Sequence, residues 1–89
     1  MSRLKPRLFH YRTHSGSEVD VVLERGRTLA AVEVKAKVSL SGKDFTSLEN
    51  FAKDTGKNFK RGILLYLGNE VVPFGKDLVA LPLHSLWHL

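Results

Sequence analysis

The chain has 89 residues, of which 43% are hydrophobic and 26% charged, and it contains no cysteine. This length supports one small core, and the composition excludes wholesale disorder, a disulfide scaffold and a cysteine-ligated metal site. The formal net charge of +5 and a pI near 9.8 suit a polyanionic partner such as nucleic acid, and equally an ordinary solvated basic surface.

Two groups produce the basic excess. Residues 1–17 hold Arg3, Lys5, Arg7 and Arg12 and no acid, and Lys53, Lys57, Lys60 and Arg61 cluster past mid-chain. No apolar run approaches the ~20 residues that span a bilayer. The opening MSRLKPRLFH also lacks the continuous apolar core of a secretory signal. These features predict a cytoplasmic protein with no membrane partner.

In chain order, residues 1–6 read as a flexible leader closed by Pro6, and residues 7–89 as a single domain. RLFHYRT (Arg7 to Thr13) alternates apolar and polar residues as a half-buried strand does, and HSGS (His14 to Ser17) is a turn cluster. Glu18 to Arg25 and Thr28 to Ala36 are β-branched with period two, which predicts two more strands. The period then changes. Phe45, Leu48, Phe51 and Ala52 fall on one face of a helix, with Ser41 and Asp44 as a capping box and Gly56 as a stop. RGILLYL (Arg61 to Leu67) is a continuous apolar run, as in a strand buried on both faces. Gly68-Asn69 signals a turn that would make EVVPF its hairpin partner, with Pro73 favouring an edge. LVALPL is a last short strand, and LHSLWHL a terminal helical turn. The predicted fold is α/β: a mixed sheet of order βββαβββ with a crossover helix.

One hairpin carries chemistry. Gly26-Arg27 can form a two-residue turn, and with Arg25 and Thr28 flanking it the numbers of cross-strand partners sum to 53. Asp20 then faces Glu33, and Glu18 faces Lys35. Alternation puts Glu18, Asp20, Val22, Ala31, Glu33 and Lys35 on one side of the hairpin, with Val19, Val21, Val32 and Val34 on the other. Opposed carboxylates repel and raise one pKa, and a divalent cation relieves the repulsion. Oxygen ligands on rigid strands suit Mg²⁺ or Mn²⁺, with a lysine beside them to stabilise charge on a phosphate. The same residues also fit a simple cross-strand ion pair on a solvated face.

The motif EVDVVLE followed by AVEVKAK resembles that of the PD-(D/E)XK nuclease superfamily, an acid on one strand and acid-x-Lys on its neighbour. The wider run from Leu8 to Trp87 is similar to the C-terminal nuclease-like domain, of unknown function, of a family of prokaryotic AAA-type ATPases. The resemblance implies a restriction-endonuclease-like core and Mg²⁺- or Mn²⁺-dependent hydrolysis of a phosphodiester. It implies that Asp20 and Glu33 hold the metal with the Val34 main-chain carbonyl, and that Lys35 positions the nucleophile. DNA is then the favoured partner, with an ATPase partner and a homodimer also expected. The helix that usually opens such a core has no counterpart ahead of the first strand, and no glycine-rich phosphate loop is present. A non-catalytic interaction or oligomerisation module retaining this fold is the alternative.

Other candidates are weaker. Lys37, Lys43 and Arg12 are candidate phosphate contacts or plain surface cations. His84 and His88 have helical metal-ligand spacing without a third ligand, and His10 and His14 share that spacing outside a helix. Phe45, Phe51, Phe59 and Trp87 read as core first and as base-stacking platforms second.

Overall fold

A computed structural model describes residues 6–12, 16 and 18–88, the last two of these by backbone alone. Among the described residues, a six-stranded mixed sheet carries one α-helix on one face. The strands are β1 (Arg7–Arg12), β2 (Glu18–Arg25), β3 (Thr28–Val34), β4 (Phe59–Tyr66), β5 (Val72–Phe74) and β6 (Leu78–Pro82). Helix α1 (Thr46–Thr55) lies between β3 and β4, extended by 3₁₀ turns at Gly42–Phe45 and Gly56–Asn58. The expected order βββαβββ is observed. Apart from Pro6, the leader lies outside the described residues, as do Thr13, His14, Ser15, Ser17 and the side chain of Trp87.

The spatial order is β1-β2-β3-β4-β6-β5. Strands β1, β2 and β3 form an antiparallel meander, whereas β3, β4 and β6 run parallel. The β2–β3 register is the one the turn dictates: Arg25 pairs with Thr28 and the ladder runs to Val21 opposite Val32. Gly26 makes this turn possible by adopting φ 63°, which costs a side chain with Cβ strain. Helix α1 follows from its pattern too. Ser41 N–H donates to Asp44 Oδ2 at 2.9 Å, and Gly56 closes the helix at φ 58°, its N–H on the Ala52 carbonyl. Phe45, Leu48 and Phe51 turn to the sheet and are buried against Val19, Val22, Ala31, Leu64 and Ala80. Tyr11, Phe51 and Phe59 meet edge to face, with Tyr11 and Phe51 ring centres 5.0 Å apart, and Phe45 stacks on Phe74 at 4.2 Å. The aromatic residues described here are therefore packing residues.

Two expectations are corrected. Gly68-Asn69 does not turn a hairpin, because β4 pairs with β6 and β5 pairs only with β6. The chain instead travels out to the edge, which the missing N–H of Pro73 suits, and returns through Gly75 at φ 77°. Gly68 has a packing role. A Cβ there would lie 2.3 Å from the Tyr66 ring, whose hydroxyl donates to the Glu70 carbonyl at 2.7 Å. The expected terminal helical turn is observed, as a 3₁₀ helix, Leu83–His88. With three residues per turn, positions 84 and 88 do not share a face, so the backbone removes the basis for pairing His84 with His88.

Gly68→Ala is expected to lower stability by about 1–3 kcal/mol, because the buried Tyr66 ring must shift. Urea denaturation checks this, and unchanged stability would mean the loop relaxes away from the ring.

Candidate functional site

Sequence and backbone meet at a β-bulge. Between β1 and β2, Phe9 pairs with Val22 and Tyr11 with Val19, so Asp20 and Val21 together oppose His10 alone. The extra residue breaks the alternation. Val19 joins Val22 in the core, contrary to the expected side, and Asp20 is turned to an exposed position. The β2–β3 ladder stops one pair short of Asp20 and Glu33. In place of a ladder bond, the Val34 N–H donates to Asp20 Oδ2 at 2.8 Å. The expected facing pair becomes a carboxylate clamped to the backbone beside its partner acid.

Glu33 sits in a different environment. It follows Ala31 on the helix side of β3 and pairs along the sheet with Leu64, which is fully buried. Glu33 itself is only 6% exposed. Its Oε2 lies 3.2 Å from Lys35 Nζ, whereas Oε1 is buried with no hydrogen-bond partner among the described residues. An unsatisfied buried acceptor costs a fold about 1–3 kcal/mol. Burial raises the Glu33 pKa. The Lys35 ammonium opposes that rise, and the charges of Asp20 and Asp44 add to it.

Asp44 was legible only as a helix cap, and it does more. It accepts from Lys37 Nζ at 2.9 and 3.1 Å as well as from the Ser41 N–H. The Ser41 hydrogen bond and then Lys37 hold its pKa below the usual carboxylate value, with a further contribution from Lys35. Acids and cations thus alternate from Asp20 and Glu33 through Lys35 to Asp44 and Lys37. The sequence signal was Asp44 at the first turn of a helix that returns over this strand end.

The remaining candidates divide. Lys37 is committed to Asp44, while Lys43 is exposed one residue before it. Arg12 reaches Glu18 on the neighbouring strand, as does His10. This corrects the expected Glu18–Lys35 contact, since the bulge leaves Glu18 facing β1 and Lys35 turns back to Glu33. Arg12, Asp20, Val34, Lys35 and Lys37 still lie at one end of the sheet, because β2 begins where β1 and β3 finish. No group of three or more His, Cys, Asp or Glu spaced to hold a metal occurs among the described residues. In the same set, no helix is long and apolar enough to cross a membrane.

A family model described as a domain of unknown function, DUF4143, matches residues 1–86. The chain belongs to this family. None of the curated proteins compared with it matches. The DUF4143 match takes in all six strands, α1 and the whole of the acid-lysine cluster.

The two carboxylates give opposite pH signatures. Glu33 holds its proton to higher pH folded than unfolded, so stability falls as pH rises from its unfolded value through its folded one. Glu33→Gln should therefore raise the melting temperature at pH 7, and the gain should shrink toward pH 4. Asp44 behaves the other way: its contribution is present above its unfolded value and lost as pH falls through the lower folded one. Asp44→Asn should cost about 1 kcal/mol at pH 7, with the difference closing in strong acid. Melting curves of both variants across pH test the pair, and parallel curves would contradict the assigned causes.

Proposed function

We propose that this DUF4143 domain is a divalent-metal-dependent phosphodiesterase acting on nucleic acid, DNA first. The observation that carries the reading is the buried, unpartnered Glu33 Oε1 beside Lys35 and the backbone-clamped Asp20. Two carboxylates fixed on adjacent strands, one with an oxygen left over, fit a hard cation that prefers oxygen ligands and retains water. Asp20 and Glu33 would hold Mg²⁺ or Mn²⁺. The N–H and C=O of a strand residue point the same way, so the Val34 carbonyl opens toward β2 beside Asp20 as its N–H does. When bound, the cation supplies charge neutralisation at the phosphoryl oxygens and a nucleophile at neutral pH.

The chain's own groups do the rest. Lys35 Nζ, one-third exposed, can donate to a phosphate oxygen or orient the attacking water while its contact with Glu33 keeps it in place. Asp44 holds Lys37 at the same strand end, and exposed Lys43 adds a second cation for the backbone of a polyanion. Arg12 is farther along the sheet and already shared with Glu18, so it is assigned a lesser role. Placement also supports the reading, since ligands of parallel sheets bind beyond the carboxyl ends of the strands.

A second reading is a non-catalytic module serving a partner such as an AAA-type ATPase. Exposed Leu8, Leu23, Val21 and Val34 on the sheet favour it.

Melting in the presence of Mg²⁺ or Mn²⁺ separates the two. The wild type should be stabilised by about 1–3 kcal/mol at saturating metal, and Asp20→Ala should show no shift. A flat response from the wild type would defeat the metal reading. Cleavage of DNA should depend on metal and fall by about 100-fold or more in Lys35→Ala, which a gel assay measures.

A further inference from the structure

The charges of the chain are unevenly placed. The acid-lysine cluster lies where β3 finishes, and the opposite end of the sheet is basic. Arg25 and Arg27 flank Gly26 in the β2–β3 turn, Lys60 and Arg61 lie near the start of β4, and Lys76 sits between β5 and β6. Arg7 opens β1, Lys53 is in the last turn of α1, and Lys57 lies between that helix and β4. All eight residues are exposed. Among the described residues only Glu24, Asp54 and Asp77 oppose them at this end, which therefore carries +5, the whole net charge. The other six cations and six acids of the sequence cancel. A bulge adds to the concentration. Leu29 pairs with Phe59 and Ala30 with Arg61, so Lys60 is an extra residue in β4. Strict alternation would turn Lys60 inward ahead of buried Gly62 and Leu64, yet Lys60 and Arg61 are both exposed. Thr28 to Val34 spans about 20 Å at ~3.3 Å per residue, which separates this end from the acid-lysine cluster.

We propose that this basic end is a docking surface for the phosphate backbone of a nucleic-acid duplex, distinct from the acid-lysine cluster. Extent is the first argument. With strands ~4.8 Å apart, the cations reach from Arg7 on β1 to Lys76 beside β6 over roughly 20 Å. A duplex carries one charge per ~1.7 Å of its axis, so a row of this length meets about a dozen phosphates. Availability is the second argument. Arg7 is shared with Glu24, whereas Arg27, Lys57, Lys60, Arg61 and Lys76 make no ion pair among the described residues. Composition is the third. Between Arg27 and Lys76 the other exposed residues at this end are Thr28, Gly56, Asn58 and Gly75. They provide no apolar anchor for a protein partner or a membrane, and no aromatic ring on which an unpaired base could stack. Thr28 and Asn58 carry donors of the kind that contact sugar and phosphate.

Fluorescence anisotropy with a labelled DNA duplex of about 20 base pairs, in EDTA, tests the proposal. At about 50 mM salt the chain should bind with a Kd of about 1–100 μM whatever the base sequence. Log affinity should fall against log salt with a slope of about −4, for about five phosphate contacts. Joint Lys60→Gln and Arg61→Gln should weaken binding at least tenfold and flatten the slope by about 2, with melting temperature unchanged. Lys43→Gln, at the opposite end, should weaken it far less. Absence of binding at low salt overturns the proposal. Binding that the double variant retains, or that Lys43→Gln reduces more, overturns it too and leaves the phosphodiesterase standing. Equal affinity for poly-glutamate or for phosphatidylserine vesicles overturns it in favour of an acidic protein or a membrane. The measurement is made without metal, so a failed metal titration would defeat the phosphodiesterase and not this surface.

Discussion

The two-residue turn at Gly26-Arg27 is the constraint on which the rest depends. It fixes the β2–β3 register, and a slip of one residue would exchange the two faces of both strands. In the observed register Val22 and Ala31 enter the core side by side, and Glu33 follows Ala31 inward on the same strand. The parallel crossover to β4 then builds on β3, placing Leu64 beside Glu33 and seating Phe45, Leu48 and Phe51 against Ala31 and Leu64. Position 26 adopts a positive φ that glycine takes freely, so one small residue underwrites both the core and the acid.

The bulge at Asp20 and Val21 works against regularity and creates the site's asymmetry. Strict alternation would have presented Asp20 and Glu33 as equivalent opposed carboxylates. The additional residue turns Val19 inward to fill the core and leaves Asp20 exposed, where it satisfies the Val34 N–H. One acid is thereby solvated and bonded to the backbone, while the other is buried with a raised pKa. Two chemically identical groups acquire different roles from their surroundings alone.

Much of this was legible in the sequence, and the failures have physical reasons. The strand–helix order followed from a change of hydrophobic period, and the hairpin register followed from Gly26. The bulge was invisible because Glu18 to Arg25 keeps an unbroken run of strand-forming residues, and the extra residue is defined only by its pairing with β1. The β4–β5 hairpin was misread for a related reason. Gly68 resembles turn chemistry locally, yet it is glycine because the Tyr66 ring occupies the space of a side chain. Asp44 was seen as a cap, and its link to Lys37 and Lys35 required the crossover to bring the helix start back over β3.

Glu33 is the residue of the cluster that a purely structural account explains least well. A buried acid-lysine pair is a poor stabilising device, since apolar residues of similar size do as well or better once desolvation is counted. The sheet neighbours of Glu33 are Leu64 and, one strand further, Ala80, so a valine or leucine would extend an existing apolar row at this position. A structural ion pair would also be expected to satisfy both carboxylate oxygens, whereas Oε1 has no hydrogen-bond partner among the described residues. The surface alternative fails as well, because Glu33 is 6% exposed and gains little from water. A fold of 89 residues has little stability to spare for such a group. Retaining a charged, half-satisfied side chain in the core is consistent with a function that needs the free oxygen.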